Sequence, residues 1–193
     1  MSESSVLYEE RGAVALVTLN RPQALNSLNH EMHSTLWAQL DKAEANKAIR
    51  AMVITGAGRG FCAGADLSEF DFSDGPDRIQ RADPGPVIQR SFNPTTRRLQ
   101  ALRMPVIAAV NGVAAGAGAS LAMACDIAIA APGASFIQAF SKIGLIPDAG
   151  GSWLLVERLG LARAMTLAMT GDKLGAQQAK EWGMIWDVAD DCV

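Results

Sequence analysis

One carboxylate stands out in the last third of the chain. Asp148 lies in the run Gly144-Leu-Ile-Pro-Asp-Ala-Gly-Gly-Ser-Trp153, between a proline and a glycine pair, in an otherwise apolar neighbourhood. A carboxylate shielded from water by Ile146, Pro147 and Trp153 would have its pKa raised, which suits it to take a proton from one carbon and return it to another. An Asp ahead of a helix also commonly caps it, and a helix starting near Gly150 would give Asp148 that role instead. Two Gly-rich turns upstream favour the base. Ile54-Thr-Gly-Ala-Gly-Arg-Gly-Phe-Cys-Ala-Gly-Ala-Asp-Leu67 and Pro105-Val-Ile-Ala-Ala-Val-Asn-Gly-Val-Ala-Ala-Gly-Ala-Gly-Ala-Ser-Leu-Ala-Met-Ala-Cys-Asp126 each read as a strand, a small-residue loop and a helix start. Glycines let such loops turn sharply and present backbone N–H groups outward. The second opens a helix whose first turn holds Ala117 and Gly118, where unpaired N–H groups and the positive end of the helix dipole can hold a developing oxyanion. Either turn alone is weak, because such loops are more often structural or phosphate-binding. With a base they describe enolate chemistry.

Other chemistries fail on order or completeness. Gly118-Ala-Ser120 resembles a relaxed nucleophile elbow, but the only histidines, His30 and His33, precede Ser120, against the Ser–acid–His order of that fold. The two histidines lack a neighbouring Cys or acidic cluster, so solvated surface side chains and no metal site are expected. Gly116-x-Gly118 lacks the third glycine and the distal acid of a dinucleotide fingerprint. Asp66, at a helix start, is expected to brace its loop as a cap.

The elements that must position these residues follow from periodicity. Val6 to Tyr8 and Val14 to Leu19 read as a hairpin turning at Gly12, and Met52 to Thr55, Val106 to Val110 and Ile127 to Ala130 as further strands. Met32, Leu36 and Leu40 mark one face of an amphipathic helix from about 29 to 46. The Asp, Gly, Pro and Arg of Asp71 to Pro86 predict a mobile surface excursion that sustains neither helix nor core strand. Asn93-Pro94 then predicts a restart, with Asn as N-cap and Pro at the first helical position, running to about Arg103. Beyond Gly150, short helices are expected. Strands alternating with helices make an α/β fold.

The 193 residues suit one domain. A net charge of −3 argues against a nucleic-acid partner, and Arg97, Arg98 and Arg103 read as a solvated helix face. No apolar run is long enough to cross a bilayer, so no membrane partner is expected. The N-terminus lacks signal or transit features, which predicts a cytoplasmic protein. Cys62, Cys125 and Cys192 form neither a disulfide framework nor a zinc pattern.

Asn20-Arg-Pro, Phe61-Cys-Ala-Gly-Ala-Asp-Leu67, Ala109-Val-Asn-Gly-Val-Ala and Cys125-Asp-Ile, in this order, resemble the crotonase (enoyl-CoA hydratase/isomerase) superfamily, from about Tyr8 to the end. The resemblance implies a spiral of ββα units: a single catalytic domain over 1–193, with a spiral core of about 6–150 and short helices and a final strand over about 151–193. Relatives continue past Val193, so the C-terminal helical segment is expected to be truncated. It also implies that the N–H groups of Ala65 and Ala117 bind a thioester oxygen. Coenzyme A, part of the substrate and no separate cofactor, would contact Gln23, Ala24 and Leu25, the loop Ala63 to Leu67 with Ala65 and Asp66, and the turn at Gly116 and Ala117. Homotrimers or hexamers are implied as well. Hydratases of the family carry two glutamates where Ser120 and Phe140 stand here. A pair of carboxylates holds the attacking water, so the chain resembles the family's isomerases, acting on a ring epoxide or a linear enoyl thioester. The alternatives are a hydratase-type lyase and a non-catalytic acyl-CoA-binding or assembly subunit.

Overall fold

The computed structural model describes residues 4–71, 73, 75–77 and 83–190. The extreme N-terminus, much of the expected excursion (72, 74, 78–82) and the last three residues with Cys192 lie outside them. β1 (Val6–Arg11) and β2 (Val14–Leu19) pair antiparallel, and Gly12 takes the left-handed conformation at φ 61 that their tight turn requires. Parallel strands β3 (Ala51–Gly56), β5 (Val106–Val110), β7 (Ile127–Ala130) and β10 (Asp187–Val188) extend them into a six-stranded sheet in the order β1-β2-β3-β5-β7-β10.

Three of these strands feed directly into a second sheet. β3 runs into β4 (Gly60–Cys62), β5 into β6 (Val113–Ala115) and β7 into β8 (Ser135–Ile137), and β9 (Lys173–Gly175) completes the order β4-β6-β8-β9. A helix follows each strand pair: α1 (His30–Ala45) after β1-β2, α2 (Asn93–Ala101) after β3-β4, α3 (Ala117–Ala124) after β5-β6 and α4 (Gly151–Leu159) after β7-β8. This repeat is the expected spiral of ββα units. α5 (Leu161–Thr170) and α6 (Ala176–Glu181) complete the described chain.

Burial explains the composition of the elements. α1 starts at Asn29, whose side chain accepts from the Met32 N–H, and lays Met32, Leu36 and Leu40 on the sheet. Every residue of α3 is buried, and its largely small side chains let it sit deep between the sheets and α4. Gly118 must stay a glycine there, because a Cβ would overlap the Cys62 carbonyl oxygen.

Two expectations need correction. Asn93 caps nothing: the chain is already helical over Gly85–Val87 and passes through a π-turn at Ile88–Phe92 into α2. The π-turn accommodates Pro94, which has no N–H and would crowd the carbonyl four residues earlier in a regular α-helix. Pro86 occupies the first turn of this earlier start, so the segment 71–86 does end in helix. The arginines differ among themselves too. Arg98 pairs with Asp41 at 2.7 Å, and Arg103 donates to the carbonyls of Ala43, Asn46 and Ile49, binding a cation to the C-terminal end of α1.

Candidate active site

The loop after β4 is held against the loop after β2 as a short parallel bridge. Leu28 N–H donates to Gly64 O (2.7 Å) and Asp66 N–H to Leu28 O (3.0 Å), so the intervening Ala65 N–H points away from this ladder. Ala117 is the first residue of α3, and its N–H lies beyond the reach of intrahelical partners. Among the described residues neither N–H donates to any acceptor. The two loops touch: a Cβ on Gly64 would lie 3.2 Å from Ala117 N and 2.7 Å from Ala115 O. Gly64 (φ 93) and Gly116 (φ 51) take backbone conformations that favour glycine, which leaves both turns bare.

Two side-chain amides and an ion pair fix this scaffold, and of these residues sequence reasoning gave a task only to Asp66. Asn26, fully buried, accepts from Arg21 N–H and donates to Ala57 O and Gly60 O, while Asn111 accepts from Gly56 N–H and donates to Gly58 O. Arg21 meets Asp66 at 2.8 Å, and Asp66 also accepts from the Ser68 N–H and hydroxyl; chiefly the Ser68 hydroxyl, with Arg21, holds its carboxyl below the usual range. Asp66 is therefore the expected brace. The signal for Arg21 and Asn111 was their place in the Asn20-Arg-Pro and Ala109-Val-Asn segments, which carry the polar side chains that loops without ladders require.

Gln23, exposed, and Ala24 lie in the 3₁₀ turn Pro22–Ala24, and Leu25 and Asn26 follow in left-handed conformation at φ 50 and 57. Ala63 N–H donates to Leu25 O at 2.9 Å, so Gln23 to Leu25 and Ala63 to Leu67 form one continuous rim, with Leu67 half exposed at its edge.

Asp148 precedes Ala149, which lines a small cavity together with Ala117. The capping reading fails: Gly150 is the N-cap of α4, and no side chain caps that helix. Its backbone is pinned instead, the carbonyl accepting from Gly151 N–H (2.6 Å) and from the Ser120 hydroxyl (3.1 Å). The next residue, Ala149, is held at φ 50, and its carbonyl accepts from the Thr96 hydroxyl at 3.0 Å. Such strain in a residue other than glycine costs on the order of 1 kcal/mol and persists where surrounding contacts over-determine it. The Asp148 Oδ1 atom is buried with no hydrogen-bond partner. Burial pushes this carboxyl up to about 6, partly offset by its own amide. The shielding comes from the fold, since Ile146 and Trp153 are 79% and 60% exposed.

Ser120 and Phe140 flank this region, and neither offers an acid. The Ser120 hydroxyl is engaged by the Asp148 carbonyl, and the buried Phe140 ring lies against Gly116. A small cavity reaches Ala117 and Ala149 and is walled by Leu28, His33, Phe92, Thr95, Thr96 and Leu121. His33 is thus buried, against the expectation of a surface histidine, because it shares the inward stripe of α1 with Leu36 and Leu40 at spacings of three and seven. A larger cleft of about 390 Å³, lined by His30, Glu69, Val87, Arg90 and Ser91, opens one turn further along the same two helical segments. No group of three or more His, Cys, Asp or Glu suited to a metal ion occurs among the described residues.

The family model for enoyl-CoA hydratase/isomerase matches residues 9–192. The chain belongs to this family: it is a crotonase-family enzyme acting on CoA thioesters. It is 54% identical to the 1,2-epoxyphenylacetyl-CoA isomerase of Escherichia coli K12 over 99% of this chain and 71% of that protein. A probable enoyl-CoA hydratase of Rhodobacter capsulatus is 42% identical over 99% and 71%. Among solved structures, enoyl-CoA hydratase from Thermoplasma volcanium superposes with a TM-score of 0.87 at 37% identity, covering 98% of this chain and 73% of that one. The enoyl-CoA hydratase of Bacillus anthracis gives 0.85 at 34% identity, over 96% and 70%. These likenesses establish the crotonase fold.

Proposed function

We propose that the protein isomerises acyl-CoA thioesters, with Ala65 and Ala117 donating N–H groups to the thioester oxygen and Asp148 moving a proton along the acyl group. The observation that carries this reading is the Asp148 Oδ1 atom, buried with no hydrogen-bond partner one residue before Ala149, which lines a cavity together with Ala117, with no second acid at Ser120 or Phe140. A thioester α-proton becomes removable when its enolate oxygen is stabilised, and two free N–H groups at adjacent loops supply that stabilisation. Asp148, in a poorly solvated setting, keeps enough basicity to take the proton and enough acidity to deliver it to another carbon. A water added to a double bond needs a carboxylate pair to hold it, so hydration is not favoured.

The rim of Gln23, Ala24, Leu25, Ala63 and Leu67 receives coenzyme A, which enters as part of the substrate and with no further cofactor. The likeness to an epoxyphenylacetyl-CoA isomerase supports a ring epoxide as the acyl group, rearranged to a seven-membered oxepin; a linear 3-enoyl thioester, shifted to the 2-enoyl isomer, uses the same groups. The test is turnover by purified protein of a ring-epoxide CoA thioester, a 3-enoyl-CoA and crotonyl-CoA. Isomerisation of either of the first two with negligible hydration of the third is expected. Rapid hydration of crotonyl-CoA would reverse the assignment.

A further inference from the structure

We propose that the cleft lined by His30, Glu69, Val87, Arg90 and Ser91 receives the far end of the acyl group and selects acyl chains that end in a hydroxyl. The proposal rests on the reading that a thioester oxygen sits between Ala65 and Ala117, and it adds where the rest of the acyl group goes and what recognises it. The cavity that reaches Ala117 holds only about 10 Å³, which is too small for an acyl chain. The cleft, at about 390 Å³, falls within the roughly 300–1,000 Å³ of small-molecule sites. Its walls come from the segments that hold the reacting groups. Glu69 ends the short 3₁₀ turn Leu67–Glu69 that follows Ala65, and its Oε1 accepts the His30 N–H at 3.0 Å, which ties that turn to the start of α1. Ser91 directly precedes Phe92, which walls the small cavity.

The polar groups of the cleft are of both kinds and are not used up on one another. Arg90 is oriented by a bond from its Nε to the Pro86 carbonyl at 3.1 Å, which leaves both terminal nitrogens of the guanidinium without a partner among the described residues. Ser91 is 4% exposed and lines the cleft, and its hydroxyl has no hydrogen-bond partner among the described residues. Buried hydroxyls are nearly always paired, so this one takes its partner from the cleft. Glu69 and Arg90 share the cleft without forming an ion pair, and Glu69 keeps one oxygen unbonded among the described residues. This mixture decides the ligand. A hydroxyl both donates and accepts, so it serves Glu69 as well as Arg90 or Ser91. A carboxylate only accepts, gaining from Arg90 while Glu69 opposes it. An alkyl end satisfies none of them. Arg90, Glu69 and His30 are exposed, so water still reaches them beside an alkyl end. The discrimination is therefore that of one net hydrogen bond and not the factor of about 10⁴ of a sealed site.

The test is titration calorimetry with saturated CoA thioesters of hexanoyl, octanoyl and decanoyl length, each ending in a methyl, a hydroxyl or a carboxylate. At the length that reaches the cleft, wild type should bind the hydroxyl-ended chain about tenfold more tightly than the methyl-ended one, the value of one net hydrogen bond. The carboxylate-ended chain should bind more weakly than the hydroxyl-ended one. Ser91→Ala removes only a hydroxyl that has no partner, and Arg90→Met alters an exposed side chain, so both variants should fold. Each should reduce the hydroxyl preference, and the double variant should abolish it while binding methyl-ended chains as wild type does. Equal wild-type affinity for methyl- and hydroxyl-ended chains at every length, or a preference that survives the double variant, overturns the proposal and leaves acyl-CoA binding intact. Tightest binding of a carboxylate-ended chain overturns it too, by making the cleft an anion site. Failure of wild type to bind any of these thioesters overturns both the proposal and the reading beneath it.

Discussion

Ionising Asp148 places a charge where the fold admits little water, and this single fact governs both the chemistry and the stability expected of the residue. The base must be deprotonated to act, so kcat/KM for isomerisation should rise with pH through about 6 and level off above it. Asp148→Asn keeps the shape and removes the base, and turnover should fall at least about a hundredfold. Near wild-type rates in that variant would dismiss Asp148 as the proton carrier. The same shift acts on folding with the opposite benefit. The folded protein binds this proton more tightly than the unfolded chain, so the associated stability is complete below the ordinary value of 3.8 and is lost as pH rises through about 6. Asp148→Asn should therefore melt higher than wild type at pH 7.5, and the advantage should vanish at pH 4. A constant difference in Tm across that range would mean the carboxyl is well solvated. The position of Asp148 was legible because a Pro-Asp-Ala-Gly-Gly run is a local signal, whereas its shielding was not. Ile146 and Trp153, adjacent in sequence, face outward, and the desolvation comes from residues brought together only by the spiral.

At the scale of elements, the two bare N–H groups depend on how closely the loop after β4 approaches the N-terminus of α3. Gly64 is the closest point. Alanine there would have to hold φ 93 and place its Cβ 2.7 Å from the Ala115 carbonyl oxygen, so either loop must retreat. Gly64→Ala should lower kcat/KM by roughly a hundredfold or more, the cost of misplacing one oxyanion donor. It should also destabilise the fold by about 1–3 kcal/mol, as overpacking does. Unchanged turnover in a folded Gly64→Ala protein would separate these loops from the chemistry. The strands β2, β3, β5 and β7 of the larger sheet were readable because each holds a run of four or more apolar or β-branched residues. β4, β6 and β8 were not, since three residues carry no period, and their pairing is fixed by the neighbouring turns of the spiral. The buried place of His33 could have been read from its three-residue spacing to Leu36. A histidine's polarity hid it.

The whole molecule leaves one face unexplained by its own core. α5 buries Ala164 and Leu167 but presents Leu161, Met165 and Met169, one turn apart on a single stripe, at 65%, 48% and 69% exposure. Trp153 and Val156 on α4 and Trp186 before β10 are also exposed. An exposed apolar stripe of this kind marks an interaction site, and no helix among the described residues is long and apolar enough to cross a membrane. Further copies of the chain, arranged as a closed trimer or a pair of trimers, are the proposed cover, because a cyclic arrangement buries such a surface without leaving an open end. Burying a leucine or methionine side chain stabilises an assembly by about 1.5–3 kcal/mol, so one charge in the stripe should be felt at every interface. Leu161→Glu is the informative change. Leu161 is the first residue of α5, where a carboxylate favours the helix dipole, so the isolated chain should fold at least as well as before. Sedimentation of wild type at micromolar concentration should give a trimer or hexamer, and Leu161→Glu should give a smaller species with an unchanged circular dichroism spectrum. A monomeric wild type, or a variant that sediments identically, would show that this stripe is not what joins the subunits.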